Sequence, residues 1–329
     1  MRIGVFCSGG DAPGMNPCLR AVVRAAVAEG HDVVGIKRGY AGLLGEQFFL
    51  NTDGEPLMKL RSVSGLSRCG GTILHSSRSE EFRTQEGQKK AAAILRKHRI
   101  DAIVPIGGDG TFRGAVALCD HWDGQIVGCP GTIDNDLIGT DYTIGFATAV
   151  HTAVEALDKL RDTAESHERL FLVEVMGRHS GYIGLYTALA GGAEVAALPE
   201  TPTDAAQIVH HLETLKARGK QSIMIVVAEG DEAGGASQLR DALTEAGCPF
   251  PTRVLKLGHL QRGGSPVPAD RILATRLGDY AVRSLLDGST DVMAGLIHGR
   301  LVLTPFKETF DQHKPVPEEL MTLLDRMAR

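Results

Sequence analysis

The sequence predicts an α/β protein with two domains and largely parallel sheets. Short apolar segments with the composition of buried strands alternate with amphipathic helical segments along almost the whole chain, which is typical of strand–helix–strand units. Several of the strand candidates run directly into glycine-rich turns. At 329 residues the chain exceeds the size at which one hydrophobic core usually stops growing, so two domains are expected.

The composition is that of an ordinary globular protein. Hydrophobic residues make up 43% of the chain and charged residues 23%. With a formal net charge of −5 we expect no nucleic-acid partner, and an anionic ligand would be met by locally placed cations. The cysteines show no metal-binding spacing, and free thiols fit a cytoplasmic location. We expect no membrane span and no signal peptide, because the apolar runs are too short for either.

The first strand–turn–helix unit opens the chain. Ile3–Cys7 is a strand candidate, a glycine turn follows it, and a helix is expected from about Asn16 to Glu29, before a strand at Val33–Ile36. The turn departs from the GxGxxG pattern, so a dinucleotide-binding fingerprint is not supported. By itself the turn fits a phosphate-binding loop and a plain strand-to-helix connection equally well.

Residues 37–85 resist assignment, because scattered glycines and polar loops interrupt any pattern. Arg78 lies in this region, where a single loop arginine is usually only a solvated cation. An amphipathic helix is then expected at Gln85–His98, with its basic residues on a solvated face.

Two glycine-rich acidic turns in the middle of the chain are the most informative feature. Strand candidates at Ala102–Ile106 and Gln125–Gly128 run into the turns Gly107–Thr111 and Gly131–Asp136. Glycines let backbone N–H groups approach an anion, and a helix expected to begin at Thr111 adds its positive dipole end. Acidic side chains fit beside such turns where a magnesium ion or an attacking hydroxyl is also bound. These residues predict a phosphoryl-transfer site.

The alternation of strands and helices continues to the end of the chain. A long helix is expected at Gly145–Ala164, and no Pro/Ser-rich linker separates the two domains. Further strands are expected at Arg169–Val175, Val195–Leu198, Ser222–Ala228, Arg253–Leu257, Val292–Ile297 and Leu301–Leu303, and further helices at about 204–218, 235–246, 269–286 and 318–329. Since functional loops follow the carboxyl ends of parallel strands, the glycine turns after Val175 and Leu257 are expected to contribute to the site.

Five motifs in this order resemble the phosphofructokinase family, over nearly the whole chain. They are SGGDAPGMN at 8–16, GGDGT at 107–111, PGTIDND at 130–136, EVMGRHSG at 174–181 and GHLQRGGSP at 258–266. Any one of them is weak evidence, since GGDGT also occurs in diacylglycerol and NAD kinases, but the ordered set is specific. The family transfers phosphate from ATP, or from pyrophosphate in some branches, to the 1-hydroxyl of fructose 6-phosphate.

The resemblance implies two Rossmann-like three-layer domains with the active site in the cleft between them. Residues 1–144 and about 260–309 would bind ATP, and residues 145–259 and about 310–329 would bind fructose 6-phosphate. It also implies a homo-oligomer, expected to be a tetramer.

Site residues follow from the matched motif positions. ATP would be bound by Gly10, Arg78, Ser79, Gly108, Asp109, Gly110 and Thr111, with Asp109 also binding Mg²⁺. Thr132 and Asp134 would hold the reacting hydroxyl, with Asp134 as general base, and Asp136 would support the metal or the base. Ligands of fructose 6-phosphate would be Thr132, Ile133, Asp134, Met176, Gly177, Arg178, Glu229, His259, Leu260, Gln261 and Arg262, with Arg178 also catalytic. Arg169 and Arg253 match positions that reach the site of a neighbouring subunit.

The phosphate donor is expected to be ATP. Pyrophosphate-using branches typically carry Asp at position 110 and often Lys at position 131, and both are glycine here. A carboxylate at position 110 would repel the α-phosphate of ATP. A pyrophosphate-dependent enzyme is the nearest alternative.

A regulatory site is implied by a further group of matched positions. Arg20, Arg24, Arg161, Glu194, Arg218 and Lys220 correspond to residues that bind ADP or phosphoenolpyruvate between subunits. Ser222 stands where bacterial relatives often have His, and surface cations on helices are the alternative interpretation of the group.

Two more distant alternatives are a lipid or NAD kinase and a non-catalytic nucleotide-binding subunit. The first would not explain the arginine-containing turns near Arg178 and Arg262. The second would be expected to have lost Asp109, Asp134 or Arg178, and all three are present. Side activity on sedoheptulose 7-phosphate or tagatose 6-phosphate stays open.

Overall fold

The computed structural model describes residues 1–232, 234–312 and 314–328, in which strands and helices alternate. The strands are β1 (Arg2–Cys7), β2 (Asp32–Gly35), β3 (Ala102–Gly107), β4 (Gln125–Thr132), β5 (Ile144–Gly145), β6 (Leu170–Val175), β7 (Val195–Ala197), β8 (Ile223–Ala228), β9 (Thr252–Lys256), β10 (Val292–Ile297) and β11 (Arg300–Pro305). The α-helices are α1 (Met15–Ala28), α2 (Gly39–Leu44), α3 (Gln85–Lys97), α4 (Asp109–Cys119), α5 (Phe146–His167), α6 (Tyr182–Gly191), α7 (Ala205–Ala217), α8 (Ala236–Glu245), α9 (Pro268–Leu286), α10 (Phe306–Phe310) and α11 (Glu318–Met327). Over the described ranges, none of these helices has the length and apolar character needed to cross a membrane.

The larger sheet has the strand order β11-β10-β4-β3-β1-β2, with β5 paired to β4. All of its pairs are parallel except the hairpin of β10 and β11. Strand β3 is buried along its whole length, as expected for a strand covered on both faces. Because β1, β3 and β4 are parallel neighbours, the turns that follow them meet at one edge of the sheet.

The smaller sheet has the order β7-β8-β6-β9 and is wholly parallel. Its core includes Leu172 of β6, Ile225 of β8 and Leu212 of α7, which are fully buried. The turns after β6, β8 and β9 therefore also share one edge. The predicted α/β fold with largely parallel sheets is confirmed.

The chain forms two compact units, and it passes from one to the other three times. The first unit comprises Met1–Ala147 and Arg262–His313, and the second comprises Thr148–Gln261 and Lys314–Arg329. The domain ranges and their nucleotide-binding and sugar-binding roles given above stay predictions.

The two central elements differ in their bounds from the sequence-based expectation. Helix α4 begins at Asp109, two residues earlier than expected, because the carbonyl of Gly108 already accepts hydrogen bonds from the backbone N–H groups of Thr111 and Phe112, at 2.9 and 3.2 Å. Strand β4 continues to Thr132, because parallel pairing with β5 extends it. The second glycine turn is therefore shorter than expected.

Several helical segments were not expected from the sequence, among them the short helix α10. Helix α2 lies in the unassigned region 37–85, where a Cβ on Gly42 would overlap the carbonyl of Lys37, so glycine permits the tight turn. The motif segment Gly258–Arg262 is a short 3₁₀-helix rather than an open turn.

Candidate active site

The turns after β1 and β3 are joined by Thr111. Its hydroxyl donates to the carbonyl of Ser8 at 3.2 Å, and the Tyr40 hydroxyl donates to the Thr111 carbonyl at 2.9 Å. A Cβ on Gly107 would overlap the Thr111 hydroxyl, so this close approach requires glycine. Thr111 is buried, and its hydroxyl helps to hold the turn Gly107–Thr111, which the sequence predicts to bind ATP.

The turn after β3 leads directly into helix α4, whose first residue is Asp109. The Asp109 side chain is 41% exposed and pairs with Arg113 one helical turn later, where Nε lies 2.5 Å from Oδ1. In the described part of the chain, no group of three or more His, Cys, Asp or Glu side chains is arranged to hold a metal ion. One exposed carboxylate at a phosphate-type turn still fits Mg²⁺, which is usually bound by one or two carboxylates together with water and substrate phosphates.

The glycines at 108, 110 and 131 have different surroundings. A Cβ on Gly108 would lie 3.4 Å from Cβ of Thr132, so the second and third turns lie side by side with room for little more than one side-chain carbon between them. A Cβ on Gly131 would lie 3.0 Å from Ile106 and 3.1 Å from Met15, which leaves little room for a side chain. In the described structure a Cβ on Gly110 would meet no heavy atom within 4 Å other than those of Asp109, Thr111 and the nearby backbone of α4. Packing therefore explains why residue 131 is glycine, but it does not explain the glycine at position 110.

The turn after β4 holds Asp134 in a buried position. The backbone N–H of Asp134 donates to the Thr132 hydroxyl at 3.2 Å, and the carbonyl of Thr132 accepts from the Thr143 hydroxyl at 2.6 Å. Asn135 adopts a left-handed conformation with φ 52°, and its side-chain oxygen accepts from the Thr143 N–H at 2.9 Å. The Ile133 side chain is buried, so only its backbone is available to a ligand.

The loop 68–79 is attached to the first turn and to the GHLQRGGSP motif. Asn16 is buried; its amide donates to the Gly70 carbonyl at 2.9 Å and accepts from the Ile73 N–H at the same distance. Ser76 donates to the Gly9 carbonyl at 2.5 Å, and Ser265 donates to the Arg68 carbonyl at 2.7 Å. Asn16 thus holds the loop that carries Arg78 and Ser79, two of the predicted ATP ligands.

Arg78 and Ser79 occupy the end of this loop. Arg78 is exposed, and the Ser79 hydroxyl accepts from the Phe82 N–H at 3.2 Å. The Ser79 hydroxyl therefore has a local structural use, and a nucleotide contact by either residue stays a prediction.

Arg262 lies beside Gly10, although the two were predicted to bind different ligands. Its Nη1 donates to the Asp11 carbonyl at 3.3 Å, and a Cβ on Gly10 would overlap this nitrogen. The structure therefore groups Arg262 with the first turn, within the first unit.

In the second unit the turn after β6 is built around Gly177 and Arg178. Gly177 has φ 146°, and a Cβ there would overlap the carbonyl of Ser180, so only glycine fits. The backbone N–H of Arg178 donates to Oε1 of Glu229, which follows β8, at 3.0 Å. The backbone N–H of Met176 donates to Oε1 of Gln261 at 2.8 Å.

The structure thus brings the turns after β6, β8 and β9 together through Glu229 and Gln261. Gln261 is fully buried and its side chain holds the turn through Met176, and its predicted contact with fructose 6-phosphate stays a prediction. His259 and Leu260 are exposed on the same 3₁₀-helix.

Arg169 and Arg253 are not brought to that edge. Arg169 precedes β6, and Arg253 pairs with Phe171 near the start of β9. Seven residues separate Arg169 from Met176, or roughly 20 Å of extended chain. Both arginines lie near the amino ends of the strands, away from the Arg178 turn of their own chain.

A pocket of about 330 Å³ collects part of the predicted regulatory group. Glu194, Arg218 and Lys220 line it, and Lys220 forms an ion pair with the buried Glu194. The other carboxylate oxygen of Glu194 accepts from the Met224 N–H at 2.7 Å. Arg161 donates to the carbonyl of Gly192, which also lines the pocket, at 2.9 Å.

Arg20 and Arg24 are placed elsewhere. They lie one turn apart on α1 of the first unit, and Arg24 is exposed. Their grouping with the pocket residues stays a prediction.

The family model described as "Phosphofructokinase" matches residues 2–285. The chain belongs to the phosphofructokinase family. The motif-based resemblance is therefore confirmed, and a lipid or NAD kinase is no longer needed to explain the GGDGT turn.

The chain is similar to curated phosphofructokinases along its whole length. It is 53% identical over 328 residues to "ATP-dependent 6-phosphofructokinase 1" of Thermus thermophilus, covering 99% of both chains. It is 48% identical over 326 residues to "ATP-dependent 6-phosphofructokinase" of Cytophaga hutchinsonii, covering 99% of this chain and 97% of the other. Its fold matches the crystal structure of Pichia pastoris phosphofructokinase in the T-state with a TM-score of 0.85 and 35% identity, covering 94% of this chain and 35% of that longer chain.

Three residues of the candidate site were not identified from the sequence as site residues. Asn135 was overlooked although asparagine tolerates the left-handed conformation that its turn requires. Asn16 was missed because its hydrogen-bond partners, Gly70 and Ile73, are distant in the sequence. Arg113 was missed because its partner Phe310 lies in the short helix α10, which was not expected. For Arg113 the sequence offers one signal, its spacing of four residues from Asp109, which allows an ion pair on one face of a helix.

We predict that Asn16→Ala lowers the free energy of unfolding by about 1–3 kcal/mol, because buried partners lose their hydrogen bonds. Urea unfolding followed by circular dichroism measures the change. Asn51→Ala is the matched control: Asn51 accepts bonds from Asp53 and Glu55 at 2.9 and 3.0 Å, but in an exposed loop. It should change stability by no more than about 0.5 kcal/mol. Equal losses in the two variants would contradict the burial argument.

Proposed function

We propose that this protein transfers the terminal phosphoryl group of ATP to the 1-hydroxyl of fructose 6-phosphate, the glycolytic phosphofructokinase reaction. Its membership in the family and its similarity to relatives named ATP-dependent 6-phosphofructokinase support this function. The observation that carries the proposal is the close approach of Gly108 to Thr132, where an added Cβ on Gly108 would lie 3.4 Å from Cβ of Thr132, so that a phosphate-type turn lies beside the turn that holds Asp134.

The donor phosphates are assigned to the turn Gly107–Thr111. The glycines expose backbone N–H groups, and the N-terminus of the 11-residue helix α4 adds a partial positive charge. Asp109 would hold Mg²⁺, which neutralises charge on the transferring phosphoryl group when it is bound.

The acceptor hydroxyl is assigned to Thr132 and Asp134. With a reference pKa of about 3.9, an aspartate is a weak base toward an alcohol. It can still act as general base, because in a loose transition state the proton leaves the hydroxyl late. The burial of Asp134 and its bond to Thr132 restrict its position, which favours this role.

The sugar phosphate is assigned to Arg178 of the GRHSG turn, which can present two N–H donors to a phosphate group. The contact of Arg262 with the sugar phosphate stays a prediction from the family resemblance. Glu229 already positions the Arg178 backbone and could accept a bond from a sugar hydroxyl.

We further propose a homo-oligomer, a tetramer, in the cytoplasm. The location of Arg169 and Arg253 near the amino ends of their strands supports a role for them in a neighbouring subunit. All six cysteines are free, which is consistent with a reducing compartment.

We predict that Asp134→Asn lowers kcat by roughly 10²- to 10⁴-fold with little change in KM, because only proton removal is lost. A coupled assay for fructose 1,6-bisphosphate measures turnover. Asp120→Asn, at the exposed far end of α4, is the control and should behave like the wild type. Turnover of Asp134→Asn within a few-fold of wild type would remove Asp134 from the mechanism.

Gly110 allows a direct test of the donor. We predict that Gly110→Asp is folded, because the space is open, but loses about 10² or more in kcat/KM for ATP through repulsion of the phosphates. Gly110→Asn has the same size without the charge and should lose much less. The assay is run with ATP and with pyrophosphate. Equal losses in the two variants would mean that shape rather than charge matters, and turnover of the wild type only with pyrophosphate would favour the alternative enzyme.

The pocket lined by Glu194, Arg218 and Lys220 is proposed to bind ADP or phosphoenolpyruvate. We predict a sigmoidal response to fructose 6-phosphate that one of these compounds shifts. Arg218→Ala should abolish the shift, because it removes a phosphate-binding cation, whereas Arg240→Ala on the exposed face of α8 should retain it. Saturation curves of both variants measure this, and a wild type insensitive to both compounds would contradict regulation.

A further inference from the structure

Arg113 is fixed beside the predicted metal carboxylate by three contacts. Its Nε lies 2.5 Å from Oδ1 of Asp109, its Nη2 donates to the Phe310 carbonyl at 2.9 Å, and its guanidinium lies 4.2 Å from the centre of the Phe310 ring. All three residues belong to the first unit. No role has been assigned to Arg113 so far.

This arrangement differs from an ordinary surface ion pair. Exposed pairs one helical turn apart are usually weak, because two long side chains must be ordered to form them. Here α10 already orders the arginine through the ring and the carbonyl of Phe310, although its side chain is 53% exposed. The Asp109 carboxylate therefore meets a donor whose position does not depend on the pair itself.

The contact with Arg113 uses one oxygen of the Asp109 carboxylate. The pair restricts the orientation of the Asp109 side chain, and within the described residues its second oxygen forms no hydrogen bond or ion pair. Partners of this kind orient a metal-binding carboxylate, and their loss typically costs about 10- to 100-fold in metal affinity or activity.

We propose that Arg113 is a positioning residue that orients Asp109 for the divalent cation accompanying the nucleotide. The inference rests on the proposed function and adds to it the residue that prepares the metal carboxylate. The positive charge of Arg113 also repels the divalent cation, but water screens this repulsion because the site is half exposed. Orientation is therefore expected to outweigh repulsion.

The test measures nucleotide binding without turnover. Calorimetric titration with ADP is carried out on the full chain with Mn²⁺ and again in EDTA, for the wild type, Arg113→Met and Arg113→Gln. Every protein in this comparison also carries Arg218→Ala, so that ADP binding at the proposed regulatory pocket does not contribute. Arg83→Met is the control, since Arg83 forms an exposed ion pair with Glu80 at 3.2 Å in the same unit.

Arg113→Met is expected to weaken ADP binding in Mn²⁺ about tenfold or more and to leave binding in EDTA within about twofold. Arg113→Gln, which keeps an N–H donor, should lose less, about threefold, and Arg83→Met should lose nothing. Where Arg113→Met fails to fold, the loss expected for Arg113→Gln decides the question.

Three outcomes would overturn the proposal: unchanged binding in Mn²⁺, equal losses with and without metal, or tighter binding in Mn²⁺. Equal losses would indicate a merely structural role, and tighter binding would show that repulsion dominates. If the wild type binds ADP and phosphorylates fructose 6-phosphate, and the Arg113 variants bind ADP in Mn²⁺ as tightly as the wild type, only this inference is refuted. A wild type that does neither would refute the proposed function.

Discussion

The close approach of the second and third glycine turns is the constraint on which the candidate site depends. Parallel pairing of β3 with β4 brings Gly107 opposite Pro130, and the turns that follow lie so close that a Cβ on Gly108 would be 3.4 Å from Cβ of Thr132. A side chain at position 107 would collide with Thr111, so the approach is possible only with glycine there. A donor phosphate and an acceptor hydroxyl react only when they are held within a few ångströms, and under the proposed function this packing of the two turns would provide that proximity.

Hydrogen bonds to backbone groups hold the turns that carry Asp134 and Arg178, and an ion pair holds the side chain of Asp109. Thr132 and Asn135 shape the turn of Asp134, and Arg113 holds Asp109. In the second unit Glu229 and Gln261 do the same for the turn of Arg178. Each of these groups is ordered before a ligand arrives, which lowers the entropic cost of assembling the reacting atoms.

The surroundings of the glycines sharpen the argument about the donor. Gly110 and Gly131 looked equally informative in the sequence, since both positions differ from the pyrophosphate-using branches. Gly131 is closely packed against Ile106 and Met15, so its identity has a steric explanation. Gly110 faces open space, and nothing in the fold requires glycine there. The evidence for ATP from these two positions therefore rests on Gly110.

The sequence by itself determined the α/β class, the order of most strands and helices, and the family, because apolar periodicity and glycine turns are local and five motifs occur in order. It also pointed to Asp109 and Asp134, whose chemistry is visible in the residue types. Only the tertiary structure decided that Arg262 lies against Gly10, that Arg169 lies far from Met176, and that Arg113 is held by α10. These relations join residues separated by up to about 250 positions, and long-range strand pairing and packing, rather than local propensity, determine them.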